Sequence, residues 1–262
     1  EQNQVAMRVS DKGQALFFDT KTGAELQRVD LPLPAGTQVS SISTDQPGSP
    51  LVVLGLSNGQ ALVFHHTYKI TYPDNKKTIT PGIDYPYGKD AFVLDDQGRA
   101  LEHVSVNVNG ETLLLAGSTG SHLQVTQLTR EENMMTGEVT SEQNRIDLPQ
   151  MTEPVKAIYI DPRQQWLYVV NGRAQADVFS LRDKNLNGRY KLLEDGQAEI
   201  TASTQLVGGI SLIFGDSKGG LSQWFMARDP DGESRLKLIR SFQLGTAPVV
   251  QIDAEERRKG FI

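Results

Sequence analysis

VKAIYIDPRQQWLYVVNGRAQADVFSLRDKNLNGRYKLL, residues 155–193, contains four short apolar runs separated by turn-forming residues. The runs cover residues 155–160, 166–170, 176–181 and 189–193, and turns are predicted at 162–165, 171–172 and 183–188. They are rich in Val, Ile, Tyr and Phe, which β-strands favour. Four strands in about 40 residues match one blade of a β-propeller. The stretch therefore predicts a four-stranded antiparallel sheet.

The central hairpin of this stretch recurs along the chain. Five copies can be aligned, and each has a turn followed by an apolar strand; their turn glycines are Gly13, Gly59, Gly120, Gly172 and Gly219. The spacing of these glycines is close to a blade repeat of roughly 40 to 50 residues. We predict an all-β fold, a β-propeller of the WD40-like or quinoprotein-like type with about five to seven four-stranded blades. A β-sandwich is the alternative, but it would show shorter and less regular spacing.

Two segments depart from the repeat. Residues 67–110 crowd turn formers, so we expect a long insertion there, with an extra hairpin beginning at Asp95. Residues 249–262 are predicted to form a first strand, a turn and the start of a second strand, which duplicates the strand at residues 5–9. We therefore predict that residues 1–262 are a single β-propeller domain, truncated within a repeat, in a fragment of a larger membrane protein.

Composition excludes several classes of function. The chain has 262 residues, a net charge of -6 and no Cys. An acidic balance disfavours non-specific nucleic-acid binding, which needs a basic surface, so no nucleic-acid partner is expected. Without Cys there is no thiolate catalysis, disulfide or iron–sulfur chemistry. The apolar runs are far shorter than the roughly 18 residues that span a bilayer, so this segment is not expected to cross a membrane itself.

One motif matches a metal-binding loop. Residues 183–194 follow the pattern D-x-[DN]-x-[DN]-G-x5-E, which is the spacing of a calcium loop. Asp183, Asn185 and Asn187 would supply side-chain oxygens, and Glu194 would supply the bidentate carboxylate. Helices usually flank such a loop, whereas strands are predicted here, so the alternative is a plain strand connection. A calorimetric titration with calcium that gave no heat at millimolar concentration would exclude the site.

Other catalytic patterns are absent from the sequence. There is no nucleophile elbow and no phosphate-binding loop, and Trp166 and Trp224 do not repeat the docking motif of quinoprotein propellers. The four histidines lack the spacing of a metal site, and they are His65, His66, His103 and His122. We therefore predict that the protein is not an enzyme and needs no cofactor.

Residues 245–262, GTAPVVQIDAEERRKGFI, together with the hairpin repeats before them, resemble the large extra domain of long-form phosphate ABC transporter permeases of proteobacteria. In that family a WD40-like propeller is inserted after the first membrane helix and faces the periplasm. The resemblance implies a bacterial inner-membrane protein with a non-catalytic periplasmic domain that takes part in phosphate uptake. It also implies a periplasmic phosphate-binding protein, or other transporter subunits, as partners.

Two other classes of function stay open. One is a free-standing periplasmic scaffold propeller, such as an outer-membrane assembly factor, which would use an exposed apolar or edge-strand surface. The other is an enzyme, which would need a convergent polar cluster at the propeller axis.

Overall fold

The computed structural model describes residues 4–132, 139–193, 198–255 and 260–262. These residues form antiparallel β-strands and one short 3-10 turn, Pro73–Asn75, and no α-helix occurs in the described ranges. The strands are β1 (Val5–Val9), β2 (Gln14–Asp19), β3 (Glu25–Asp30), β4 (Val39–Thr44), β5 (Leu51–Leu56), β6 (Gln60–Thr71), β7 (Thr78–Asp84), β8 (Phe92–Val93), β9 (His103–Asn109), β10 (Thr112–Thr119), β11 (His122–Glu132), β12 (Val139–Ile146), β13 (Val155–Ile160), β14 (Trp166–Asn171), β15 (Gln175–Ser180), β16 (Asn185–Lys191), β17 (Ile200–Gln205), β18 (Ser211–Asp216), β19 (Gly220–Arg228) and β20 (Ser234–Gln243).

The strands form five sheets, each of which follows the order of the chain. Sheet 1 is β1-β2-β3, and sheet 2 is β4-β5-β6-β7 with β8 paired to β6. Sheet 3 is β9 to β12, sheet 4 is β13 to β16, and sheet 5 is β17 to β20. The five hairpin repeats fall one in each sheet, at the turns β1–β2, β5–β6, β10–β11, β14–β15 and β18–β19. The predictions of an all-β fold and of one sheet per repeat are therefore confirmed.

The contacts divide the chain into two compact units. The first contains Glu1–Ser43 and Pro50–Glu102, and the second contains Thr44–Ser49 and His103–Ile262. In the first unit, Ala15 and Phe17 of sheet 1 share a buried core with Leu54, Leu62 and Phe64 of sheet 2. The second unit holds sheets 3, 4 and 5.

Strand β14 explains how the second unit builds its core. Leu167 and Val169 pack on one face, in a cluster with side chains of sheet 3. Tyr168 and Val170 pack on the other face, with Leu212 and other residues of sheet 5. Successive side chains of a strand point to opposite faces, and both faces are buried here. This is why the sequence of the inner strands is a continuous apolar run and does not alternate with polar residues.

The β14–β15 turn differs from the prediction in its left-handed residue. Gly172 was predicted to provide the positive φ, but Ala174 does so, with φ 55°. Gly13, Gly59 and Gly219 take the same place in sheets 1, 2 and 5, with φ of 76°, 79° and 81°. Val170 pairs with Ala176, so this hairpin has a three-residue loop whose last residue is left-handed.

The predicted insertion at residues 67–110 is largely an extension of sheet 2. β6 continues to Thr71 and pairs with β7, so the turn-rich residues between them join two long strands. The hairpin predicted to begin at Asp95 is wrong. Gly98 N–H donates to the Asp95 carbonyl at 3.0 Å, and the Asp95 carboxylate accepts the Arg99 N–H at 2.8 Å. The side chain of Asp95 thus closes a single turn, where a hairpin would need paired strands.

The strand predicted at the start of residues 249–262 is wrong, because the described residues after β20 make one isolated bridge and no strand. The predicted turn lies largely outside the described residues. Ala254 and Phe261 form an antiparallel bridge, and Asp253 and Ile262 exchange two backbone hydrogen bonds of 2.9 and 2.8 Å. Ile252, Val249 and Phe261 pack with the buried Ile213 and Leu221 of sheet 5. The segment after β20 therefore extends the core of the second unit.

Candidate functional site

An aromatic cleft of about 350 Å³ lies between sheets 4 and 5 of the second unit. The turn β13–β14, the turn β17–β18 and the hairpin β19–β20 border it. Five apolar side chains form its wall, and they are Trp166, Tyr168, Ile210, Phe225 and Met226. Arg163 and Arg228 lie at its rim and are exposed to solvent. We name this site the sheet 4–5 cleft.

The carboxylate of Asp161 fixes the first border of the cleft. Asp161 follows β13 and is 8% exposed. Its Oδ1 accepts the backbone N–H groups of Gln165 and Trp166, each at 2.5 Å, and its Oδ2 accepts that of Arg163 at 3.1 Å. Burial raises the pKa of Asp161, and these three N–H groups act in the opposite direction. The carboxylate therefore orients the turn that carries Arg163 and Trp166.

The turn β17–β18, which is the second border of the cleft, packs directly against the turn β13–β14. Gln205, which is 7% exposed, donates from Nε2 to the carbonyl of Ile160 at 3.1 Å and to that of Gly209 at 2.6 Å. Gly209 has φ 65°, and a Cβ at this position would lie 2.4 Å from Cγ of Pro162. Only glycine allows this approach. The two turns are thus packed together, and Ile210 next to Gly209 is left 47% exposed at the cleft.

One buried and one half-buried tyrosine, Tyr168 and Tyr159, add no charge to this region. The Tyr159 hydroxyl donates to Ser203 Oγ at 2.7 Å and so joins β13 to β17. Burial raises the pKa of Tyr159 to about 12. Burial also raises the pKa of Tyr168, and the nearby carboxylate of Asp161 adds to the shift. Both phenols therefore stay neutral at physiological pH, and the exposed charges at the cleft are those of Arg163 and Arg228.

The arrangement suits recognition of a protein segment. Trp, Tyr and Arg are the residues that carry most of the binding energy at protein interfaces. An apolar pocket accepts an aliphatic or aromatic anchor, and arginines at its rim can pair with carboxylates beside that anchor. Because hydrogen bonds between buried groups fix both borders, little conformational entropy would be lost on binding.

The predicted calcium loop is only partly within the described residues. Glu194 lies outside them, so the site stays a prediction. The turn predicted at 183–188 is wrong, because β16 already begins at Asn185 and Asn187 is the extra residue of a bulge between Leu186 and Gly188. Asp183 accepts a hydrogen bond from Ser180 Oγ at 2.7 Å, and Asn187 Oδ1 is buried without a hydrogen-bond partner.

One basic side chain of the predicted calcium loop, that of Arg189, forms an ion pair within sheet 4. Arg189 binds the carboxylate of Asp177 through Nε at 2.6 Å and through its terminal nitrogen at 2.8 Å. In the described ranges no group of three or more His, Cys, Asp or Glu side chains is placed to hold a metal ion.

Sequence reasoning missed the sheet 4–5 cleft. Trp166 contacts the core and also lines the cleft. Trp224 is 8% exposed and belongs to the core. The sequence signal for the cleft was a Trp directly after a turn that contains an Arg. The wall of the cleft that faces this Trp comes from residues about 40 to 70 positions further along the chain, so no local pattern shows it.

The five antiparallel sheets, each in the order of the chain, define the class of protein. The fold is that of a β-propeller. Among solved structures, the chain is similar to the crystal structure of the Myceliophteria thermophila Cps50 (Swd1) beta-propeller domain, with a TM-score of 0.56 and 12% identity. The alignment covers 92% of this chain and 68% of that one. The sequence matches no family model and no curated protein.

In the described part of the chain, no helix has the length and apolar character needed to span a membrane.

Proposed function

We propose that the chain is a non-catalytic interaction domain of a phosphate ABC transporter permease, placed on the periplasmic face of the bacterial inner membrane. Its partner is the periplasmic phosphate-binding protein or another transporter subunit, and its role is to dock that partner or to regulate phosphate uptake. The observation that carries the interaction role is the sheet 4–5 cleft, where Trp166 and Phe225 stand beside Arg163 and Arg228. The resemblance of residues 245–262 supports the transporter context.

Calorimetric titration of the chain with the cognate phosphate-binding protein, with and without phosphate, tests the docking role. We expect binding, and we expect Trp166→Ala to weaken it about tenfold, as the loss of an interface hot spot does. Arg163→Glu is a second variant, and because Arg163 is exposed it should leave folding unchanged. Tyr72→Ala is the matched control, since Tyr72 is 62% exposed and does not line the cleft. Absence of binding in both phosphate states would refute the docking role.

The gene that encodes this segment offers a separate test of the transporter context. We expect one apolar helix encoded before residue 1 and several after residue 262, as in a polytopic permease. A secretion signal upstream and a stop codon shortly downstream would instead indicate the free-standing periplasmic scaffold.

A further inference from the structure

The last strand of sheet 5 is a long and open sheet edge. β20 runs from Ser234 to Gln243, and among the strands of the described residues it pairs with β19 alone. Leu244 N–H donates to the carbonyl of Gly219 at 2.9 Å. Because N–H groups of an antiparallel edge strand alternate in direction, that of Phe242 faces β19 and those of Ser241 and Gln243 face outward. The end of β20 thus offers backbone donors to another strand.

Apolar side chains line this edge. Leu238, Ile239 and Phe242 are 50%, 48% and 43% exposed, and Leu244 just beyond them is 67% exposed. The outer strands of sheets 1 and 4, both within the described residues, carry one large exposed apolar side chain each, Leu26 and Leu186. Natural proteins usually protect such edges, because an exposed apolar edge is a template for strand pairing.

The charges on β20 are distributed unevenly along its length. The strand contains Arg235, Lys237 and Arg240 and no acidic residue, although the chain as a whole has a net charge of -6. Arg235 pairs with Asp229 and Asp231, and Lys237 pairs with Asp229. Arg240 makes no ion pair with any residue that the structure describes. The first half of the strand is therefore neutralised within its own hairpin, and the second half is apolar and basic.

We propose that residues 238–244 bind an extended acidic segment of a partner protein by strand addition to the open edge of sheet 5. Main-chain hydrogen bonds from Ser241 and Gln243 supply affinity, as in other cases of β-augmentation. Phe242 and Leu244 accept alternating apolar side chains of the incoming strand, and Arg240, which lies on the same face, pairs with a carboxylate beside them. This surface, the β20 edge, lies beyond the residues that line the sheet 4–5 cleft.

Charge complementarity selects this occupant over a second copy of the chain. Antiparallel pairing of two β20 strands would leave Arg240 of each copy without a carboxylate opposite it, because the strand contains no acidic residue. An acidic strand gains favourable pairs at the same positions. The apolar side chains of the acidic strand also cover the exposed apolar side chains of the β20 edge. A ligand with only charged groups would leave those side chains in water.

Three synthetic ten-residue peptides test the proposal on the 262-residue chain. On one face the first carries a Glu followed by Val and Phe at every second position, the second replaces each Glu by Lys, and the third scrambles the first so that this order is lost. Binding is measured by fluorescence anisotropy, and hydrogen exchange locates the protected amides. We expect the first peptide to bind best and to protect residues 238–244.

Two variants separate strand addition from general attraction. Ser241→Pro removes an outward N–H, so it should reduce the affinity for the acidic peptide about tenfold. Ser241→Ala keeps the N–H and should bind the peptide as the unaltered chain does. Arg240→Glu should reduce the affinity for the acidic peptide and increase the affinity for the lysine peptide. This variant tests the proposal even if Ser241→Pro does not fold. Trp166→Ala should bind the acidic peptide as the unaltered chain does, which separates this proposal from the role of the cleft.

Several results would overturn the proposal. They are equal binding of the acidic and lysine peptides, equal binding of the scrambled peptide, no binding of the acidic peptide, and protection of β20 in a dimer of the chain itself.

Discussion

Ala174 carries a backbone conformation that its side chain does not favour. In sheets 1, 2 and 5 the corresponding residue is glycine, with φ between 76° and 81°, and Ala174 has φ 55°. A Cβ in this region crowds the backbone and costs roughly 1 kcal/mol. The turn tolerates it because Asn171 Oδ1 accepts the N–H groups of Arg173 and Gln175 at 2.9 and 3.2 Å. Hydrogen bonds from one side chain therefore compensate for the absent glycine.

Replacement of Ala174 by glycine should stabilise the chain. We expect Ala174→Gly to raise the free energy of unfolding by about 0.5 kcal/mol, because relief of the backbone strain outweighs the added freedom of the unfolded chain. Urea unfolding measures this difference. Gly172→Ala is the matched control and should change little, since its Cβ would meet no atom closer than 3.9 Å. A loss of stability in Ala174→Gly would show that the turn is not strained.

Gly219 gives the opposite case in sheet 5. A Cβ at this position would lie 2.7 Å from the Gly245 carbonyl oxygen and 2.8 Å from that of Ala247. Backbone atoms cannot move aside as a flexible side chain can, so we expect Gly219→Ala to cost about 2 kcal/mol or more of unfolding free energy. Urea unfolding beside Gly172→Ala measures the cost. Equal midpoints for the two variants would contradict this contact.

At the scale of the element, the sequence predicted the repeats well because each is specified locally. A glycine turn and two apolar runs within one hairpin were enough to locate the central strands of all five sheets. The outer strands were harder, because Pro81 and Gly82 interrupt the strand pattern of Thr78–Asp84, which owes its pairing to β6. The two-residue strand β8 is shorter than any periodicity can register.

The turn after β8 shows what pattern reasoning could not supply. Leu94 and Asp95 donate their N–H groups to the Gly59 carbonyl at 3.0 and 2.9 Å, so this turn holds the β5–β6 hairpin. The side chain of Asp95 is buried and binds the Arg99 guanidinium at 2.7 and 3.0 Å. A sequence shows the two residues four positions apart, but not that their ion pair, with its buried carboxylate, closes the turn.

Asp95 should make stability depend on acid pH. Hydrogen bonds from Arg99 hold the pKa of this carboxyl below its ordinary value of 3.8. A lowered pKa in the folded state contributes stability above the unfolded-state pKa, which is lost as the pH falls through the folded-state pKa. We expect Asp95→Asn to lose about 2 kcal/mol at pH 7.

The deficit of Asp95→Asn should shrink as the pH falls below about 3.9, where the carboxyl of the unfolded chain begins to take up a proton while that of the folded chain stays ionised. Urea unfolding at pH 7 and pH 2.5 measures this change. Asp90→Asn provides a control in the same region, because Asp90 is exposed. A deficit of equal size at both pH values would mean that Asp95 acts through packing and not through its charge.

At the scale of the whole molecule, composition and repeats predicted a β-propeller, but the binding surfaces required the structure. Trp166 and Phe225 are 59 residues apart in sequence and line one cleft, and the open edge of β20 depends on which strand ends its sheet. No local sequence pattern indicates that these two residues meet or that β20 ends its sheet. The two surfaces make the second unit the main candidate for partner contact, the sheet 4–5 cleft for an apolar anchor and the β20 edge for an extended strand.

Hydrogen exchange of the chain with and without the cognate phosphate-binding protein tests the central claim most directly. If the sheet 4–5 cleft is the docking site, amides of the turns at residues 161–166 and 206–210 should exchange more slowly in the complex, and this protection should disappear in Trp166→Ala. Unchanged exchange at both turns, with the binding protein present at saturating concentration, would contradict the docking of that protein in the cleft.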